Sequence, residues 1–196
     1  FGTWCMLPSD FTIDVICKTN IDYIIIDMEH GMMSWETAER MVRSAESNNV
    51  IPLIRVSNSE ENTILHALET NVKAILVPHV STSSQAKNVA LSTKYAPEGN
   101  RGLSPYTRCH SYDHEGLSDS LVTNNKRNFL GILVEGKEGI KNLQDIVSVE
   151  GIDMIYLGIY DVAQSLGLSG NINHPECKIA LRDFLETIKS SGKYAG

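Results

Sequence analysis

The chain has no excess of basic residues, no long apolar run and no closely spaced cysteines. Its 17 lysines and arginines are outnumbered by 24 aspartates and glutamates, giving a net charge of −7 at pH 7. It therefore lacks the electrostatic footprint of a nucleic-acid binder. No segment approaches the ~20 continuous apolar residues of a transmembrane helix, so a membrane partner is not expected. The cysteines Cys5, Cys17, Cys109 and Cys177 form neither a CxxC pair nor a zinc-finger spacing. That pattern reads as reduced thiols in a cytoplasmic protein. No Asn-x-Ser/Thr acceptor occurs, in keeping with the same address. No GxGxxG follows the first strand, which weakens a dinucleotide-binding reading. No signal peptide is read in residues 1–196, nor a repeat or low-complexity tract, and the start at Phe1 reads as the edge of a longer N-terminus.

What is present is ordinary bulk with unusual punctuation. At 196 residues and 42% hydrophobic content, residues 1–196 suit a single domain with a large core. Short apolar runs predict strands over 3–7, 23–27, 51–56, 74–80, 129–135 and 154–158. Residues 193–196 look like the start of a seventh. Helical periodicity lies between them. Ser34 caps a helix carrying Ala38, Met41, Val42 and Ala45, and Ser59 starts one with Ile64, Leu65 and Leu68, stopped by Asn71. Thr82 caps a helix with Ala86, Val89 and Ala90. Ile140, Leu143, Ile146 and Val147 mark another, and Pro175 opens the last, with Ile179, Phe184, Leu185 and Ile188.

Strict alternation of β and α predicts a parallel sheet covered by helices, either doubly wound or a barrel. A (β/α)8 barrel typically needs ~250 residues, so the chain reads as a barrel cut short. Such a fragment would leave open sheet edges. The stretch from Val80 to Phe129 is too long for a plain connection and reads as functional or as contacting a neighbouring subunit.

Three strands end in polar residues: Asp27-Met28-Glu29-His30-Gly31, Glu135, and Gly158 shortly before Asp161. On a barrel these ends converge at one rim. Glu135 and Asp161 could hold one divalent ion through oxygen, leaving other positions for water or a bidentate 2-oxo acid. Taken alone, two strand-end acids more often signal solvated rim residues or salt-bridge partners. Asp27 could accept a hydrogen bond from one ring nitrogen of His30 and leave the other as a base, although a loop-bound histidine fits too. Glu29 between them is expected to point away. Arg55 could stabilise an enolate oxygen or form an ion pair with Glu135 or Asp27. His79 reads as a rim or core histidine. Trp4 either walls the pocket or fills the barrel.

Together these segments resemble the metal-dependent 2-keto-acid aldolases of the HpcH/HpaI aldolase/citrate lyase family. The resemblance rests on Phe1-Gly2-Thr3-Trp4, Asp27 to Gly31, Leu76-Val77-Pro78 and Tyr95 to Gly102. It continues through Gly151-Ile152-Asp153, Gly158 to Asp161, Ser165-Leu166-Gly167 and His174-Pro175. It implies a TIM barrel of the pyruvate/phosphoenolpyruvate-binding type, assembled as a trimer or hexamer. It also implies Mg2+, Mn2+ or Co2+ on Glu135 and Asp161, with pyruvate chelating the ion near Trp4 and Gly158. Backbone N–H groups of Tyr160 and Asp161 would receive the carboxylate, Arg55 would steady the enolate, and His30, oriented by Asp27, would exchange the hydroxyl proton. The implied reaction is reversible cleavage of a 4-hydroxy-2-oxo acid to pyruvate and an aldehyde, with no Schiff-base lysine. Two departures are visible: Leu133 stands where the family has glutamine, and Gly158-Ile159-Tyr160-Asp161-Val162-Ala163 replaces Gly-Pro-Ala-Asp-Leu-Ser. They keep two other readings open, a CoA-thioester lyase of the malyl- or citramalyl-CoA type and a catalytically weak homologue with a binding role.

Overall fold

Uninterrupted aliphatic runs become strands because both faces of a parallel sheet are covered. The computed structural model describes all residues from Phe1 to Gly196. Its strands are β1 (Gly2–Cys5), β2 (Tyr23–Asp27), β3 (Ile51–Arg55), β4 (Ala74–Val77), β5 (Phe129–Glu135), β6 (Met154–Gly158) and β7 (Tyr194–Ala195). All neighbours pair in parallel, in the order β1 to β7. Register matters at two points. Asp27 lies directly beside Arg55, and Glu135 directly beside Gly158.

Side chains alternate between two environments, as the two-residue strand period requires. Ile24, Ile26, Ile54, Ile75, Val77, Ile132, Val134 and Ile155 join a core of 34 buried residues that includes Met41, Ile64, Val89, Ile146, Phe184 and Ile188 from the helices. Ile25, Leu53, Ala74, Leu76 and Leu133 form a smaller cluster on the other face, flanked by Trp4, Phe129, Met154 and Tyr156. That second face is concave. Rings of Trp4 on β1 and Tyr156 on β6 meet edge-on at 5.7 Å, whereas five strand spacings in a flat sheet would separate them by about 24 Å. Asp27, Arg55 and Glu135 each lie two residues beyond a member of the inner cluster, so the alternation itself turns them into the concavity.

The helices are α1 (Asp10–Ile16), α2 (Trp35–Ser47), α3 (Glu61–Glu69), α4 (Ser83–Ser92), α5 (Leu117–Arg127), α6 (Gly136–Lys141), α7 (Leu143–Val147), α8 (Ile159–Ser165) and α9 (Pro175–Ser191). None is long and apolar enough to cross a membrane. Ser34 caps α2, and Thr82 with Gln85 closes a capping box on α4. Asn71 takes the left-handed conformation beyond α3 (φ 65°). Helix α3 starts at Glu61 rather than Ser59, because Asn58 Oδ1 already accepts the Glu60 N–H. The expected helix over 140–147 is two, broken at Asn142, whose amide donates to the Ser81 carbonyl at 2.8 Å.

Three helices go beyond the sequence reading. In α1 only Ile13 is buried, and α5 buries Asn124 and Asn125 rather than apolar residues, so neither shows an apolar stripe. Helix α8 is short and directly continues β6. The stretch after Val80 is therefore not a plain loop. Its part between α4 and α5 is stapled to helix C-termini, which in this architecture lie opposite the strand C-terminal rim. Arg101 stacks on Tyr95 at 4.5 Å and pairs with Glu69 at 3.1 Å, Arg108 pairs with Glu46, and His110 sits between Tyr95 and Ser120. All four cysteines are free and buried.

Candidate active site

Strand β2 delivers Asp27 almost wholly buried (1% exposed), and β3 delivers Arg55 beside it. Arg55 Nε donates to Asp27 Oδ1 at 2.8 Å and Nη2 donates to Oδ2, a two-pronged ion pair. Burial would raise the Asp27 pKa, but Arg55 and the backbone N–H groups of His30 and Glu29 outweigh it and hold the carboxyl below its ordinary range. Burial likewise works against the Arg55 charge, and Asp27, Glu29 and Glu135 overcome it, raising its pKa. Trp4 covers the guanidinium at 4.6 Å, so it walls the site as well as packing.

The turn after β2 departs from expectation twice. Asp27 does not bond the His30 ring. Its Oδ1 takes the backbone N–H of Glu29 (3.0 Å) and of His30 (3.3 Å), which places His30 by its main chain and leaves the imidazole exposed. Glu29 does not point away. Its Oε1 lies 2.8 Å from His79 Nε2, and Oε2 lies 3.0 Å from Arg55 Nη1. That second contact is a charge pairing without hydrogen-bond alignment, so the buried Oε2 has no hydrogen-bond partner. Gly31 permits the turn, because a Cβ there would come within 2.1 Å of the Asp27 carbonyl oxygen.

Glu135 closes β5, while Asp161 sits in the first turn of α8 rather than on a strand. Gly158 brings them together. A Cβ at Gly158 would lie 2.8 Å from Glu135 Cγ, 3.4 Å from Glu135 Oε1 and 3.3 Å from Asp161 Oδ2. Both carboxylates thus lean over a space that only glycine leaves open. Its φ of −75° suits any residue, so space rather than backbone conformation demands glycine. Replacing Gly158 with Ala is expected to weaken Mn2+ binding by about 10–100-fold with little change in Tm; isothermal titration beside thermal melts checks this.

Burial raises the Glu135 pKa most; His79 opposes it, and the like charges of Glu29 and Asp161 add to the rise. A cation between these acids would relieve that conflict. Glu135 and Asp161 therefore fit an oxygen-ligated divalent ion, and the fit is an open one. No trio of His, Cys, Asp or Glu converges as a closed ligand set, so remaining positions would fall to water or substrate.

A cavity of about 450 Å3 gathers Trp4, Asp27, His30, Arg55, Gly158, Tyr160 and Asp161, with Met6, Leu133, Tyr156, Leu157 and Ile159. Glu135 borders it through Gly158 and Asp161. No lysine lines it. The sequence reading underrated His79, which lies between Glu29 and Glu135; its place two residues after the β4 end was the available signal.

The sequence profile of one family, HpcH/HpaI aldolase/citrate lyase, matches residues 1–195. The chain belongs to this family. The full chain aligns at 30% identity with 76% of the hydroxypyruvate/pyruvate aldolase of Roseobacter denitrificans. It aligns at 29% identity with 75% of the 5-keto-4-deoxy-D-glucarate aldolase of Klebsiella pneumoniae. Among solved structures, an HpcH/HpaI aldolase/citrate lyase family protein from Burkholderia cenocepacia superposes with a TM-score of 0.94 at 26% identity, over 100% of this chain and 77% of that one. Seven strands of the family's barrel are thus present, ordered as expected.

Proposed function

We propose that this HpcH/HpaI family member is a carbon–carbon lyase, a divalent-metal-dependent aldolase that cleaves a 4-hydroxy-2-oxo acid reversibly to pyruvate and an aldehyde. The observation that carries this reading is the convergence of Glu135 and Asp161 over Gly158, beside the cavity holding Arg55 and His30. Its aldolase-named relatives support the same class. Glu135 and Asp161 would hold Mg2+, with Mn2+ or Co2+ as alternatives. When bound, the ion supplies a Lewis acid to the keto oxygen of the substrate.

The protein's own groups do the rest. Backbone N–H groups of Tyr160 and Asp161, in the first turn of α8, have no intrahelical acceptor and receive the substrate carboxylate. Arg55, locked in place by Asp27 and Glu29, presents its remaining N–H groups to the oxyanion as the C3–C4 bond breaks. His30 takes the proton from the C4 hydroxyl, directly or through a water, as that carbon becomes the aldehyde. A proton from solvent then adds at C3 to complete pyruvate, and His30 releases to solvent the proton it took. In the reverse direction the same imidazole, protonated, gives its proton to the C4 alkoxide oxygen to form the hydroxyl.

The CoA-thioester alternative is less well supported. Arg55 is the one Arg or Lys lining the cavity and already faces two carboxylates, which leaves no free lysine or arginine in that cavity for a nucleotide's phosphates. Leu133, buried against the cavity, keeps the catalytically weak homologue as the competing outcome. We read the assembly as a homo-oligomer, trimer or hexamer, acting on a small molecule in the cytoplasm. Exposed Met6, Leu7, Phe11 and Val15 supply apolar surface for such an assembly.

Pyruvate release from a panel of 4-hydroxy-2-oxo acids tests the reading. Release is expected with divalent metal and is expected to vanish on EDTA treatment; chelator-insensitive release overturns the metal mechanism, and no release from any acid favours the binding role. His30→Ala should lower kcat by about 10²–10⁴-fold while Mn2+ affinity stays within about threefold of wild type, read by calorimetry.

A further inference from the structure

Strand β4 ends at Val77, and two residues later the backbone does something costly. His79 has φ +60°, a left-handed conformation that costs a residue with a Cβ on the order of 1 kcal/mol. Burial does not repay it, since the His79 side chain is 63% exposed. Of the non-glycine residues with positive φ (Asn20, Asn49, Asn71, His79, Ser111, Tyr112 and Ser169), His79 is the one paired with Glu135.

The left-handed turn has one visible result. It brings two groups of a single residue onto a single oxygen. The His79 backbone N–H donates to Glu135 Oε2 at 3.1 Å, and ring Nδ1 lies 2.5 Å from the same atom. The other ring nitrogen lies 2.8 Å from Glu29 Oε1, so each ring nitrogen faces a carboxylate. With Oε2 taking the His79 N–H and lying against its ring, Oε1 is the Glu135 oxygen facing the space above Gly158, where Asp161 Oδ2 also points.

We propose that His79 is a positioning residue for the metal site: it fixes the rotation of Glu135 so that one oxygen is presented beside Asp161. Through Glu29 it also ties that carboxylate to Arg55. A free carboxylate would lose rotational freedom on binding the ion; a pre-oriented one has lost it already. The inference rests on Glu135 being a ligand, the reading given above.

The test is Mn2+ binding by calorimetry and electron paramagnetic resonance, without substrate, on wild type, His79→Gly, His79→Asn and Glu135→Gln. Glycine suits the left-handed backbone and keeps the N–H but removes the ring. His79→Gly is therefore expected to keep its Tm and bind Mn2+ about 10–100-fold more weakly, the usual cost of losing an outer-shell partner. Asparagine tolerates the same conformation and carries an amide donor, so His79→Asn should recover part of that loss. Wild-type affinity in His79→Gly, or no recovery in His79→Asn, overturns the proposal. Wild-type affinity in Glu135→Gln instead overturns the ligand assignment beneath it, a distinguishable failure.

Discussion

Replacing Glu135 with Gln is expected to abolish both divalent-ion binding and turnover. The substitution keeps the shape of the side chain and its contact with the His79 N–H, and removes only the charge. Glu135 sits where burial and the neighbouring charges of Glu29 and Asp161 already make a negative charge hard to hold. A divalent cation would resolve that conflict, and glutamine would leave nothing for the cation to resolve. The loss in kcat/KM should reach at least about 10³-fold, equivalent to ~4 kcal/mol of transition-state stabilisation. Stability should move the other way, because a repelled carboxylate is replaced by a neutral amide. A raised Tm together with absent Mn2+ binding and absent pyruvate release is the expected pattern. Retained metal-dependent release would remove Glu135 from the ligand set.

The second large effect is expected from Asp27→Asn. The wild-type carboxylate takes both prongs of Arg55 and two backbone N–H groups. An amide would turn an NH2 toward Arg55 Nη2, leaving a buried guanidinium facing a donor. Breaking a buried pair from one side typically costs ~3–5 kcal/mol, which in a domain of this size lowers Tm by roughly 6–20 °C. The pH dependence has a fixed sign. The folded Asp27 pKa is depressed, so its contribution is fully present above the unfolded carboxyl value near 4 and is lost as pH falls through the lower folded value. The stability gap between wild type and Asp27→Asn should therefore be widest above about pH 4 and shrink in stronger acid. Denaturant melts across that range check it; a gap independent of pH would mean that the Asp27–Arg55 pair is not what Asn removes.

The polar strand endings were legible because strand periodicity is simple. Once Ile25, Leu53 and Leu133 are assigned to the inner face, Asp27, Arg55 and Glu135 must follow two residues later. Cap chemistry was equally plain at Ser34, Thr82 and Asn71. What escaped was whatever depends on rotation about single bonds or on a bent backbone. Nothing in Asp27-Met28-Glu29-His30 says that the second acid turns inward and that the first holds the histidine by its main chain. The link from His79 to Glu135 spans 56 residues and depends on a left-handed φ that no residue pattern announces. Helices α1 and α5 stayed hidden because one buries a single isoleucine and the other buries asparagines.

The segment stapled beneath the sheet by Arg101 and Arg108 has an evolutionary corollary. Its anchors, Glu69, Glu46 and the end of α3, share no residue with the cavity lining. Changes there would reach stability through those pairs without altering a residue that lines the cavity.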